Sequence, residues 1–286
     1  MKLKEKIKTI IISFFCILNI FNISFANKSS YKDKSIIDWQ KGYVISNGKA
    51  WITFSKDGAP VDSVTGKKIA LNRAREAVYF AAKETAIANM AEKISLLRVD
   101  AQNTLLDVMR NNTLTQKTIS DILMNSMTFK EYPKEFDSSV CEARLHFGTL
   151  ISSIPYDFPS HDFPVKADIP ISTPYTGLII DGRGLDIKPM LFPSIYSDAG
   201  LEIYGKNFIN SSYAVKGGMG AYYYNENAQA DPRAGEHPYF AVAVKSINNC
   251  PVLSEKDVRR ILSSQKTINN LKKCRVIFII DKEALQ

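Results

Sequence analysis

The spacing of apolar residues along this chain of 286 residues changes period several times, and each change marks an expected element. Between Gly42 and Phe54, the residues Tyr43, Ile45, Trp51, Ile52 and Phe54 flank Asn47-Gly48, a pattern that predicts a β-hairpin with glycine in its turn. Lys56 to Lys67, rich in Gly, Asp and Ser, reads as a loop. From Lys68 to Ile94 the period becomes helical, with Leu71, Ala74, Val78, Ala81, Ile87 or Ala88, Ala91 and Ile94 along one face. Alanine makes that face narrow, which suits close packing on a sheet and leaves Lys83 toward solvent. Val99 suggests a short strand, and Ile119, Ile122, Leu123 and Met127 predict a second helix from about Thr115 to Met127. Ser139 to Leu150 then alternates. Cys141, Ala143, Leu145 and Phe147 take one side and Val140, Glu142, Arg144 and His146 the other, as in a strand with a single buried face.

Five prolines between Ile154 and Pro174 exclude a regular helix or a central strand, so this stretch is expected to be an extended connector. Beyond it, Gly177 to Ile180 reads as a buried strand broken by a turn at Asp181-Gly182-Arg183-Gly184. Phe192 to Tyr196 and Leu201 to Tyr204 then read as a hairpin in which Gly200 supplies a positive φ. The glycines at 217, 218 and 220 form no phosphate loop, since no GK[ST] follows. Tyr222, Tyr223 and Tyr224 suit either a stacking platform or a strand straddling a sheet. Phe240 to Val244 is an expected strand, and Ser254 to Ser263 a helix capped by Ser254. Cys274 to Ile280 is an apolar strand of the kind buried on both faces. The expected class is α+β: a mixed sheet under a long alanine-rich helix (39–152), a proline-rich connector (153–174) and a second, strand-rich α/β part (175–286).

The start of the chain changes the setting. A cationic MKLKEKIKT, the apolar run Ile10 to Leu18 and the small residues of Ser24-Phe25-Ala26 predict a signal peptide over 1–26, cleaved after Ala26, with a polar lead-in over 27–38. The expected location is the periplasm or cell envelope. The whole chain carries +8; residues 1–26 hold four lysines and one glutamate, which leaves +5 for the rest. These charges are scattered, so nucleic acid is not an expected partner, and membrane contact is expected to be peripheral at most. Cys141, Cys250 and Cys274 remain after cleavage. Cys141 reads as a small buried hydrophobe, whereas Cys250 and Cys274 could meet at one end of a shared sheet and form a disulfide, or stay as separate buried thiols.

The candidate site is Asp181, Arg183 and Asp186. A guanidinium and carboxylates at the end of a buried strand could hold an anionic ligand or a partner's carboxylate, or could simply brace a turn. With His237 as a distant partner, Asp181 and Arg183 would serve a ligand-binding or hydrolytic protein. No GxSxG or HExxH surrounds the three histidines, and no metal or cofactor is expected.

The succession of hairpin, alanine-rich helix (ALNRAREAVYFAAKETAIANMAEKI), RVDAQNTLLDVM, second helix and alternating strand (SSVCEARLHFGTL) resembles the N-terminal domain of flagellar assembly protein T and related small outer-membrane lipoproteins. The likeness covers roughly Gly42 to Leu150. The stretch from Thr176 resembles segments of uncharacterised exported bacterial proteins. The resemblance implies a non-enzymatic envelope protein that works by contact with other envelope or flagellar proteins. The chain lacks the lipid-attachment cysteine of the lipoproteins.

Overall fold

The computed structural model describes residues 35–164 and 174–285. The expected signal peptide, most of the lead-in and part of the proline-rich connector lie outside those residues. Two compact units interleave in sequence. The first comprises Ile45–Ile94 and Ser120–Leu145, together with Ile36; the second comprises Ile37–Val44, Ser95–Ile119 and the chain from His146 onward. Residues 95–119 and 146–152 therefore group with the second unit rather than with the domain expected over 39–152. Backbone pairing accounts for part of this: the N–H of Leu191 donates to Arg98 O at 3.0 Å and that of Phe192 to Val99 O at 2.8 Å.

The elements of the first half are β1 (Ile36–Asp38), β2 (Tyr43–Trp51), β3 (Thr53–Phe54), β4 (Pro60–Val61), α1 (Leu71–Ser95), α2 (Leu105–Asn111), α3 (Thr113–Asn125), β5 (Thr128–Glu135) and β6 (Ser138–His146). Four of the strands form a sheet of order β1-β2-β6-β5, with β5 and β6 antiparallel. The expected hairpin at Asn47-Gly48 does not form, because β2 runs unbroken through it. Gly48 is there for another reason. A Cβ at that position would lie 2.0 Å from Ala82 O and 2.4 Å from Ala86 N, so only glycine lets α1 approach the strand this closely. Polar atoms pin the same crossing, as Ser46 Oγ donates to Ala86 O at 2.7 Å and Asn89 Nδ2 to Asn47 O at 2.8 Å.

The buried face of α1 begins as expected with Ala74, Val78 and Ala81, then continues through Ala82, Ala86 and Met90 to Ile94. Lys83 is half-buried instead of solvent-facing, its Nζ 4.2 Å from the centroid of Phe129. Helix α2 is an unexpected element. It is two turns long, too short for a periodic signal, and a reciprocal cap starts it: the N–H of Asp107 donates to Thr104 Oγ1 and the N–H of Thr104 to the Asp107 carboxylate. Strand β6 buries Cys141, Ala143 and Leu145 as expected, but it buries Val140 of the other face as well, and the chain becomes helical from Phe147 where the alternation predicted strand to Leu150.

The second half adds α4 (Phe147–Ser153), β7 (Leu178–Asp181), β8 (Ile195–Ser197), β9 (Glu202–Tyr204), α5 (Ser211–Gly217), β10 (Ala221–Tyr223), β11 (Tyr239–Val242), β12 (Lys245–Ile247), β13 (Cys250–Leu253), α6 (Glu255–Leu262), α7 (Gln265–Lys272) and β14 (Val276–Ile279). One sheet is wholly parallel, of order β10-β14-β7-β11, and a second is mixed, of order β12-β13-β8-β9. β7 and β14 are central and buried on both faces, as their apolar runs demand. The hairpin β8–β9 turns with Gly200 at φ +83°. Tyr222 is no stacking platform: its ring stacks on Phe278 at 4.9 Å in the core, and its hydroxyl lies 3.2 Å from both the N–H and the carbonyl oxygen of Met190. The architecture is α+β.

Candidate functional site

Asp181, Arg183, Glu226 and Asp281 lie at the carboxyl-terminal edge of the parallel sheet, the edge at which open parallel sheets bind their ligands. β7 ends there in Asp181, and β14 ends just before Asp281, so two apolar strands deliver a carboxylate each to the same edge. Gly182 follows Asp181 under a lid formed by Ile187, whose Cδ1 would stand 2.3 Å from any Cβ placed on it. The chain then turns so that the Gly184 N–H donates to both oxygens of Asp281, at 3.0 and 3.2 Å.

Arg183 is the centre of the cluster. Its Nε lies 3.0 and 3.2 Å from the two oxygens of Asp181, one terminal nitrogen lies 2.5 Å from Asp181 Oδ2, and the other lies 2.9 Å from Glu226 Oε1. Hydrogen bonds from Arg183 hold the Asp181 carboxyl below its usual range, against a smaller opposing effect of partial burial. Glu226 is lowered as well, chiefly by its own backbone N–H and then by Arg183, and the two carboxylates push the guanidinium pKa further up. A ligand carboxylate would therefore have to displace two resident carboxylates from a fork they already occupy. In chemical terms the arrangement is a clamp tying the β7 turn to the loop after β10.

The other residues singled out in the sequence do not join it. Asp186 is 3.5 Å from Lys188 Nζ and accepts from Asn249 Nδ2 at 3.0 Å, a separate exposed contact. His237 sits before β11, at the opposite end of the parallel sheet, where its N–H donates to Thr176 Oγ1 at 2.9 Å. Five residue steps of extended chain lead from Thr176 to Asp181, about 16 Å at the rise of a strand, so His237 cannot act with Asp181 and Arg183 on one small substrate. Of the two alternatives for Cys250 and Cys274, the structure has the separate buried thiols, since both are free. They do not share a sheet: Cys250 begins β13 in the mixed sheet, with its Sγ 3.9 Å from Met190 Sδ, while Cys274 precedes β14 in the parallel one. Burial raises the pKa of all three described thiols, that of Cys141 and Cys274 to about 11, so each is an unreactive core side chain.

Residues 177–282 match the model of a family described as the second domain of Treponema pallidum Tp0624. The match takes in both sheets of the second unit, from β7 to β14, and with them the Arg183 clamp. No curated protein is similar enough to the chain to count as a match.

Glu226 and Asp281 are the members of the cluster that sequence reasoning missed. Asp281 was signalled: each of the two most apolar strands in this half ends on an aspartate, and parallel neighbours bring such endings together. Glu226 was not, because its loop carries no periodic pattern.

The first unit holds a cleft of about 150 Å³ among Ile52, Arg75, Val78, Glu131, Glu135 and Phe136. Its acidic groups are engaged: Ser139 Oγ donates to Glu131 at 2.8 Å, and Ser138 Oγ to Glu135 at 3.0 Å, while Lys49 Nζ stands 3.3 Å from Glu135. The Arg75 guanidinium lies 4.9 Å from the Phe136 ring centroid.

Proposed function

We propose that this chain is an exported envelope protein that works by contact with other proteins and catalyses no reaction. The observation that carries this reading is exposed apolar side chains on the second unit: Phe240 and Val242 stand 45% and 60% exposed on edge strand β11, and Val244, just beyond its end, is 54% exposed. Contiguous apolar exposure of that kind is a feature of interaction sites on soluble proteins. The candidate acid–base groups favour the same reading, because Asp181, Arg183 and Glu226 satisfy one another. Export rests on the signal peptide expected over 1–26, and the flagellar or outer-membrane setting rests on the resemblance of Gly42 to Leu150 to flagellar assembly protein T and the related lipoproteins.

The test places a photo-activatable amino acid at Phe240, Val242 or Val244 of the chain expressed in its own cells. Discrete cross-linked species at these positions, absent when the probe replaces exposed Leu114, are expected. Silence at all three positions overturns the reading, as does turnover of ester, peptide or glycoside substrates that Asp181→Ala abolishes.

A further inference from the structure

His146 stands where strand β6 gives way to helix α4, and its side chain is the N-cap of that helix. Nδ1 accepts from the Gly148 N–H at 3.0 Å. A backbone N–H can only donate, so Nδ1 carries a lone pair and the proton of the neutral ring sits on Nε2. Such a cap exists only while the imidazole is uncharged. Ser, Thr, Asp and Asn, the usual residues at this position, keep their acceptor at mildly acid pH, whereas histidine exchanges it for a donor when it takes up a proton.

The turn that this cap closes is tightly seated. A Cβ at Gly148 would lie 1.8 Å from Val215 O, so the first turn of α4 meets α5 backbone against backbone. α4 buries Phe147, Gly148, Leu150 and Ile151. Phe147 also begins a row of rings: it meets Trp39 edge-on at 5.0 Å, Trp39 meets Tyr222 at 5.4 Å, and Tyr222 stacks on Phe278 of β14 at 4.9 Å. We infer that His146 is an acid-released latch: protonation at Nδ1 sets two donors against each other, removes the cap, and frees the first turn of α4 from α5 and from that row. The positive end of the helix repels the imidazolium as well.

The acids on the elements round the ring already have partners. Glu142, on the same side of β6, takes Arg144 Nε at 2.7 Å, and Asp38, in the turn between β1 and β2, accepts from the Gln40 and Lys41 N–H groups. On β2 the ring of Tyr43 stands edge-on to His146 at 4.9 Å. β5 pairs no further along β6 than Arg144, opposite uncharged Thr128. Of the cations, Arg144 belongs to the pair with Glu142, Lys41 to the turn, and Lys216 to the last turn of α5. Burial holds the His146 pKa below its ordinary value. The latch therefore contributes in full above the value near 6.5 of an open histidine, and its contribution is lost as pH falls through the lower value of the closed state.

Two-dimensional NMR of the imidazole nitrogens in the full chain is expected to show the Nε2–H tautomer at pH 7.5 and a His146 midpoint below about 6.5. Hydrogen exchange reads the latch itself. Corrected for intrinsic rate, protection of the Gly148 and Leu150 amides should fall about tenfold between pH 7.5 and 5, the scale of a lost cap, while that of Val258 in α6 stays level. His146→Asn supplies a cap that does not titrate and leaves His161 and His237 in place, so its α4 protection should be the same at both pH values. An Nδ1–H tautomer at pH 7.5, level α4 protection in the parent, an equal fall at Val258, or a fall in His146→Asn as large as in the parent overturns the inference. The first three are read on the parent alone and decide the matter even where His146→Asn does not fold.

Discussion

The cores of the two units tolerate opposite errors. In the first unit α1 lies against β2 through small residues, Ala82 and Ala86 over Gly48, at a separation where backbone nearly meets backbone. In the second, the parallel sheet carries large side chains, with Ile179, Ile277 and Ile279 clustered against Ala228 and Ala234 and Phe278 stacked on Tyr222. A close-packed interior resists volume change in both directions, but a unit built on contact distance suffers most from added atoms, and one built on bulk suffers most from lost atoms. The polar atoms follow the same division. The first unit spends them on pinning a helix to a strand, through Ser46 and Asn89, whereas the second buries whole tyrosines and gives each hydroxyl a backbone partner, Met190 for Tyr222 and Met219 for Tyr204.

The largest effect expected from this contrast is that of Phe278→Ala. Phe278 is 1% exposed in a central strand, and truncating such an aromatic leaves a cavity its neighbours cannot close, at about 3–5 kcal/mol. Hydrogen exchange of β7 and β14 amides reads it locally, which matters because two units need not unfold as one. A loss below about 1 kcal/mol would show that the stacked pair is not what fills this core.

Gly48→Ala adds a single methyl to the first unit and is expected to cost about 1–3 kcal/mol, because the obstructing atoms are helix backbone and cannot rotate away. The sign is the diagnostic: in a strand with free space, replacing glycine by alanine stabilises. A raised melting temperature for this variant would therefore abolish the distinction between the two cores.

Gly48 also shows where sequence reasoning stops. Asn47-Gly48 between apolar runs is a hairpin signal, and Ala199-Gly200 between apolar runs is nearly the same signal. The second is a turn and the first is not. Local chemistry supplies a reason for glycine, but only the crossing of α1 decides which reason applies, and that crossing joins residues about forty positions apart. Elements with long periods of their own were readable on that account: α1, β6, β7 and β14 stand close to where apolar spacing put them. α2 and α7, each two turns long, and β12 and β13 were not. At the candidate site, the Asp181–Arg183 pair is local and was visible as a pair. Glu226 follows β10 and Asp281 follows β14, both far away in sequence, and the distance of His237 from Asp181 depends on strand direction, which composition does not encode.

The smallest effect lies at the clamp. Arg183 lowers the Asp181 pKa in the folded state, so the unfolded chain takes up this proton first as pH falls. Its contribution to stability is then fully present above the unfolded value near 4 and disappears as pH drops through the lower folded value. Glu226 shifts in the same direction and adds to the same window. Arg183→Gln removes the charge while keeping a donor. Carboxyl-detected NMR is expected to place the Asp181 midpoint at higher pH in the variant than in the parent, and the stability difference between the two proteins should close as pH falls below about 4. Because the Arg183 side chain is 39% exposed, solvent screens the pair in part, and that difference should be modest even at neutral pH. Identical Asp181 midpoints in the two proteins would show that the clamp does not set the charge at this edge of the sheet.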